Sequence, residues 1–307
     1  MNARLASLIA PCLALAAAAA PPAKAPFPMA WSTHAQSVAG LERHLDAPAG
    51  RGGFIRTVDG HLVKPDGSRF RIWGVNICGP ACFPEKADAA ALAGQLARMG
   101  VNCVRFHHMD SGWSVMFDKS RNDTRQLSPE ALDRLDNLVA ELKKRGIYAN
   151  LNLNVGRRFK PGDGVRDADK LGYGKSCTYF NPRLIELQHE FARQLLTHSN
   201  PYTGAEYRHE PCVATVEIVN ENSVLEGWTG GRLVGKDAEK ADTWSPIPVS
   251  YAEELTDLYN AWLAKNRPAD TVAALRAEAG AAPGGRVPRL APPEFGKASA
   301  ARLRDRK

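Results

Sequence analysis

Ile147-Tyr148-Ala149-Asn150-Leu151-Asn152-Leu153-Asn154 is the stretch on which the fold turns. Successive side chains of an extended strand point to opposite faces. Ile147, Ala149, Leu151 and Leu153 therefore share one face, and Tyr148, Asn150, Asn152 and Asn154 share the other. The apolar face suits contact with helices. The asparagine row suits an interior whose polar groups need hydrogen-bond partners.

Outward from this strand, helical and strand patterns alternate. Upstream, Ser128-Pro129 supplies an N-cap and a proline at the first helical position, and Leu132, Leu135, Val139 and Leu142 recur at helical spacing before Gly146. Before that come the strand Val101–Phe106 and a helix over Glu85–Met99, with Ala91, Leu92, Leu96 and Met99 on its apolar stripe and Gly100 as its stop. Arg69–Asn76 reads as a buried strand through Phe70, Ile72, Trp73 and Val75, and Phe54–Val58, Asp59-Gly60 and His61–Lys64 read as a β-hairpin. Downstream, Asn181-Pro182 caps a helix carrying Leu184, Leu187, Phe191 and Leu195, followed by the strand Val213–Val219 and a helix over Tyr251–Lys265.

This order predicts parallel strands joined by helical crossovers, in either a doubly wound sheet or a (β/α)8 barrel. Gly74-Val75-Asn76-Ile77-Cys78-Gly79 lacks the G-x-G-x-x-G form of a dinucleotide-binding turn, and neither a phosphate-cradling loop nor a G-x-S-x-G elbow occurs. The loops lengthen after the strands, at 107–127, 155–181 and 222–250, on the face where a barrel builds its site. The reading is an α/β chain of TIM-barrel type with an N-terminal β-hairpin.

Composition sets outer bounds. The 307 residues carry a net charge of +7, 44% hydrophobic residues and six cysteines, which excludes collagen, a coiled coil, a disulfide miniprotein and a wholly disordered chain. A basic start at Asn2–Arg4, an apolar run at Leu5–Ala20 broken by Pro11, and Ala23-Lys24-Ala25 read as a signal peptide over 1–25, cleaved between Ala20 and Ala25. The run is shorter than the roughly 20 residues of a membrane span. The expectation is a secreted or periplasmic protein with no membrane partner after cleavage. Its modest positive excess lacks a basic cluster before Arg302–Lys307, which argues against nucleic acid. Among the cysteines left, Cys78 and Cys82 are spaced to close a small loop, whereas Cys103 and Cys212 lie in apolar stretches as small hydrophobes. A zinc site from Cys78, Cys82, His107 and His108 matches no standard ligand spacing, so no metal and no cofactor are expected.

The strongest chemical signal closes the fourth strand of the alternation, where Glu217-Ile218-Val219-Asn220-Glu221-Asn222 places carboxylates and amides beyond an apolar run. A glutamate at the mouth of a parallel strand is half-shielded from water, which suits it to proton donation near neutral pH. Asn220 offers both a donor and an acceptor to a sugar hydroxyl. Glu217 shares strand parity with Glu221 but lies deeper, where an ion pair is its expected role. An isolated Asn-Glu-Asn can simply turn the chain; its place in the alternation favours chemistry.

This segment resembles the strand-four motif of clan A glycoside hydrolases, in particular the family 5 cellulase-like enzymes. The likeness extends through Phe70-Arg71-Ile72-Trp73-Gly74-Val75-Asn76, Gly100-Val101-Asn102-Cys103-Val104-Arg105-Phe106-His107-His108 and Leu132–Asn154, covering about residues 54–265. It implies retaining hydrolysis of a β-glycoside in an oligo- or polysaccharide, with Glu221 as acid/base and Asn220 holding the sugar 2-hydroxyl. It also implies that Arg105 orients the nucleophilic carboxylate. His108 at the same mouth is a candidate for sugar hydroxyls, and Trp113 and Trp228 in the long loops are candidates to stack on a pyranose, although a wall or anchoring role is as common for each. His34, His61 and His209 form no constellation.

Length is the difficulty. A retaining enzyme needs a second carboxylate about 5 Å from the first, which in the family stands at the end of strand seven. Residues 70–221 hold four strands and three helices, and 222–307 cannot hold four more βα units of roughly 30 residues each. Pro293-Glu294-Phe295-Gly296 resembles the Glu-aromatic-Gly form of the nucleophile strand, but no apolar strand precedes Glu294, and Pro292-Pro293 would interrupt one. The expected organisation is a signal peptide over 1–25, a linker or lead-in over 26–53, a partial barrel over 54–266 and a poorly ordered Ala/Pro/Gly-rich tail over 267–307. The expected function is that of a truncated glycoside hydrolase, inactive alone or completed by Glu294 or a partner chain. The alternative is a non-catalytic secreted carbohydrate-binding half-barrel. Its open first and fourth strands would favour self-association.

Overall fold

The computed structural model describes residues 40–239, 241–242 and 245–289. The expected signal peptide, residues 26–39 of the lead-in and Glu294 lie outside the described residues. Among those described, no helix is long and apolar enough to cross a membrane.

The hairpin pairs β1 (Arg56–Val58) with β2 (His61–Val63), Val58 opposite His61. Asp59 and Gly60 between them have φ of 48° and 76°, as a type I′ turn demands. A four-stranded parallel sheet follows. Its order is β3 (Gly74–Cys78), β4 (Cys103–His107), β5 (Tyr148–Asn152) and then the strand Val213–Glu217. The last is β8 in chain order, because the short antiparallel pair β6 (Ser199–Asn200) and β7 (Ala205–Glu206) precedes it. Helices α1 (Lys86–Arg98), α2 (Pro129–Lys144) and α3 (Pro182–Leu196) fall between successive sheet strands, which fixes the strands parallel.

Local chemistry starts these helices where the sequence indicates. Ser128 accepts a hydrogen bond from the Ala131 amide at 3.3 Å, and Asn181 Oδ1 accepts one from the Leu184 amide at 3.1 Å, each satisfying an otherwise orphaned donor. The two faces of β5 separate as expected. Ala149 and Leu151 join Val104 and Phe106 of β4 in a core with Leu135, Leu138, Val139 and Leu142 of α2, where each fully buried large aliphatic or aromatic side chain contributes about 1.5–3 kcal/mol. On the opposite face Arg105, Asn150 and Thr215 stand in register, with Asn152 beside Glu217. A second apolar cluster joins Phe159, Leu184 and Leu187 to Ile247 and Tyr251. Tyr251 belongs to α5 (Val249–Asn266).

Three differences from the sequence reading have physical causes. The first sheet strand begins at Gly74 rather than Arg69, because the Phe70 amide donates to Leu62 of the hairpin and the Trp73 amide to the Asn102 side chain. Phe70 is buried, but Ile72 and Trp73 are exposed, Trp73 at 68%, since β3 is an edge with no further strand beside it among the described residues. The described part of the lead-in is docked: Ala49 is fully buried and donates to Lys143, and Leu41 donates to Arg98. In the stretch expected as a poorly ordered tail, Ala269–Glu278 forms α6, with no buried residue. Its alanines supply helix propensity without an apolar face.

Candidate active site

β4 and β8 bring the first group together. Arg105 donates through Nε and Nη2 to the two carboxylate oxygens of Glu217, both at 2.6 Å, and Nη2 also donates to Asn220 Oδ1 at 2.8 Å. Such a fork-on-fork pair is the strong form of an ion pair. The Arg105 guanidinium holds the Glu217 carboxyl below its ordinary range. The expected ion pair of Glu217 is thus present, and the carboxylate that Arg105 orients among the described residues is Glu217. Asn220 is buried, and its amide donates to Asn154 O. Arg105 occupies one lone pair of Asn220 Oδ1 and orients the amide, whose Nδ2 carries two hydrogens for a ligand.

Glu221 follows at the strand mouth with φ of 44°, a left-handed conformation that costs a non-glycine residue about 1–3 kcal/mol unless its surroundings enforce it. The enforcing segment is a 3-10 turn, Lys175–Tyr179, in the loop after β5. Lys175 Nζ donates to Asn220 O at 3.0 Å, Asn222 Nδ2 donates to Lys175 O at 2.8 Å, and the Tyr179 hydroxyl donates to Asn222 O. The turn is held on both sides of Glu221. Glu221 is exposed rather than half-shielded, because it follows β8, the other edge of the described sheet.

Loops after β4 and β5 form the rim. His107 and His108 lie with ring centroids 4.2 Å apart, and Trp113 packs 5.4 Å from His108 at 48% exposure. Desolvation, with Arg105 next, pushes the His107 imidazole down to about 4, and desolvation with Lys175 lowers that of His108. Both are neutral at neutral pH and able to donate and accept. Asp110, buried, accepts from the Val155 and Gly156 amides at 2.9 and 3.1 Å and so ties one loop to the other. A Cβ at 156 would stand 2.5 Å from Ser111 Oγ, so any larger residue there requires that hydroxyl, which bonds His108 Nδ1, to shift. Arg157 locks the outer rim, donating to Thr124 Oγ1 and O and to Leu187 O, with its guanidinium between Phe117 and Phe159.

Arg105, His107, His108, Trp113, Asn220 and Glu221 therefore share one end of the sheet. Trp228, on α4 (Val224–Thr229), stands elsewhere: it packs against the second apolar cluster and lines a cavity of about 640 Å³ with residues of α5 and 281–289. The quartet considered for zinc does not assemble, since no group of three or more metal-ligating side chains occurs among the described residues. The described cysteines are all free thiols. Sequence reasoning missed Lys175 and Asp110. Lys175 sits in a polar loop without periodicity, and its buried ammonium is set by contacts 45 residues apart in sequence.

No protein-family model matches the chain. It is 28% identical over 149 residues to mannan endo-1,4-beta-mannosidase 2 of Arabidopsis thaliana, covering 45% of this chain and 32% of the relative. It is likewise 28% identical over 137 residues to mannan endo-1,4-beta-mannosidase 5 of the same plant, covering 41% and 30%. Among solved structures, the endo-1,4-beta-mannanase of Rhizomucor miehei aligns with 17% identity and a TM-score of 0.46, covering 70% of this chain and 58% of that one. The chain thus spans about a third of the length of the curated relatives it matches. Over that part the chain is similar in sequence to mannan endo-1,4-beta-mannosidases, and its own fold there is a parallel four-stranded sheet with helices between successive strands.

Proposed function

We propose that the mouth of β8 is the acid/base half of a retaining β-glycosidase site and that its substrate is a β-1,4-linked mannan. The observation that carries this reading is the Arg105–Glu217–Asn220 network, which fixes Asn220 beside Glu221 at the C-terminal end of a parallel strand. In this reading Glu221 protonates the leaving glycosidic oxygen while a second carboxylate, from Glu294 or a partner chain, bonds to the anomeric carbon, and Glu221 then takes the proton of the water that displaces that carboxylate. Asn220 binds the 2-hydroxyl through Nδ2, neutral His108 binds a further hydroxyl and Trp113 stacks on a sugar face. The mannan assignment rests on the relatives' described activity. Export, which the apolar run at 5–20 supports, places the substrate outside the cytoplasm.

Two arms test it. Isothermal titration with mannopentaose is expected to give saturable binding that falls at least about tenfold in Asn220→Ala, the order of one lost hydrogen bond; unchanged affinity would exclude the site. Where Glu294 or a partner chain completes the site, incubation with mannan is expected to release oligosaccharides of retained anomeric configuration, abolished in Glu221→Gln. Binding without hydrolysis would select the carbohydrate-binding reading, in which the polar sheet face serves recognition alone. Where hydrolysis occurs, an unchanged rate in Glu294→Gln eliminates that residue as nucleophile.

A further inference from the structure

We propose that Lys175 is a positioning residue for Glu221, holding the left-handed turn that presents its carboxyl and setting the charge in which that carboxyl works. The inference rests on Glu221 being the acid/base and deepens that reading. Lys175 is 7% exposed, yet it is an ammonium carried on a short 3-10 turn. A buried ammonium needs acceptors and compensating charge. Lys175 Nζ donates to Asn220 O, the carbonyl preceding Glu221, and its own carbonyl accepts from Asn222, the residue after Glu221. One residue thus fastens both flanks of a strained glutamate, through a side chain on one side and a backbone atom on the other.

The surrounding charges make the coupling electrostatic as well as mechanical. Burial drives the Lys175 ammonium toward its neutral form, and Glu221, Asp110 and Glu226 oppose this in that order, with Arg232 acting the other way. Arg232 is paired with Glu226 at 2.7 Å, and Asp110 is committed to the Val155 and Gly156 amides. His108, neutral, also feels the ammonium. Glu221 is therefore the leading opposite charge on Lys175, ahead of Asp110 and Glu226, which hold bonds of their own.

The test reads Lys175 directly. In the full chain, the 13Cε resonance of Lys175 is followed through a pH titration in the wild type and in Glu221→Gln, a surface substitution compatible with folding. The expected result is a downward shift of the Lys175 midpoint by about one pH unit when the carboxylate is removed. An unchanged midpoint would overturn the inference whether or not the chain hydrolyses a glycan. With mannan as substrate, Lys175→Met is expected to lower kcat at least about tenfold with KM within about twofold, and Lys175→Arg to recover most of it. Absence of hydrolysis in the wild type would refute the catalytic reading while leaving the titration to decide the coupling. A normal kcat and pH profile in a folded Lys175→Met variant would refute the positioning role.

Discussion

Arg105 concentrates the energetics of the site in one side chain. Its bidentate bonds to Glu217 and its third bond to Asn220 are all charge-assisted, and the pair retains only 23% and 28% side-chain exposure. Arg105→Met leaves Glu217 shielded without its partner, and the expected loss at pH 7 is about 2 kcal/mol by denaturant titration. The sign with pH follows from the depressed folded-state value of Glu217. Such a carboxylate contributes stability above its unfolded value of about 4.3 and loses it as pH falls through the lower folded value. The gap between variant and wild type is therefore expected to close below about pH 4. A gap constant from pH 7 to pH 3 would show that the pair does not titrate with folding. Glu217 was legible from its strand parity with Glu221, Asn220 from the Asn-Glu-Asn segment beyond the apolar run, and Arg105 from the resemblance of its segment to a strand-two motif. The outward exposure of Glu221 was not, because it depends on what stands beside β8.

Between strands, the element that shapes the site is the pair of loops after β4 and β5. Their lengths were legible from the spacing of the strands, and the starts of α2 and α3 from Ser128-Pro129 and Asn181-Pro182, since a cap is local chemistry. The lock between the loops was not, because Arg157, Thr124 and Leu187 are brought together only by the fold. The same holds for the 3-10 turn under Glu221 and for α6, whose helix rests on propensity rather than on an apolar stripe. Burial lowers the Arg157 guanidinium to about 10, with Asp163 the leading charge opposing the shift. Arg157→Met removes three donors from buried acceptors and is expected to cost about 3 kcal/mol. Segment 107–127 should also become more sensitive to limited proteolysis, because Thr124 loses its anchor. A loss below about 0.5 kcal/mol in urea would mean that the aromatic pair Phe117 and Phe159 holds the loops without the charge.

Across the whole described sheet, the order β3-β4-β5-β8 leaves the outer edges of β3 and β8 without a strand partner among the described residues. Parallel sheets ordinarily have both faces and both edges protected. Here Trp73 beside β3 is 68% exposed, and at β8 Val216 is 38% and Ile218 72% exposed. Unpaired backbone groups flanked by apolar side chains are a template for strand addition. The chain is accordingly expected to self-associate, with a mass by light scattering on a sizing column that rises as loading concentration rises. Val216 points away from the Arg105 cluster, so Val216→Lys tests the edge without touching the candidate site; a charge on an edge strand opposes strand addition. That variant is expected to shift the population toward monomer while mannopentaose affinity stays within about twofold. A single monomeric, cooperatively unfolding species for the wild type at every concentration would mean that these edges are protected by residues outside those described, and self-association would be excluded.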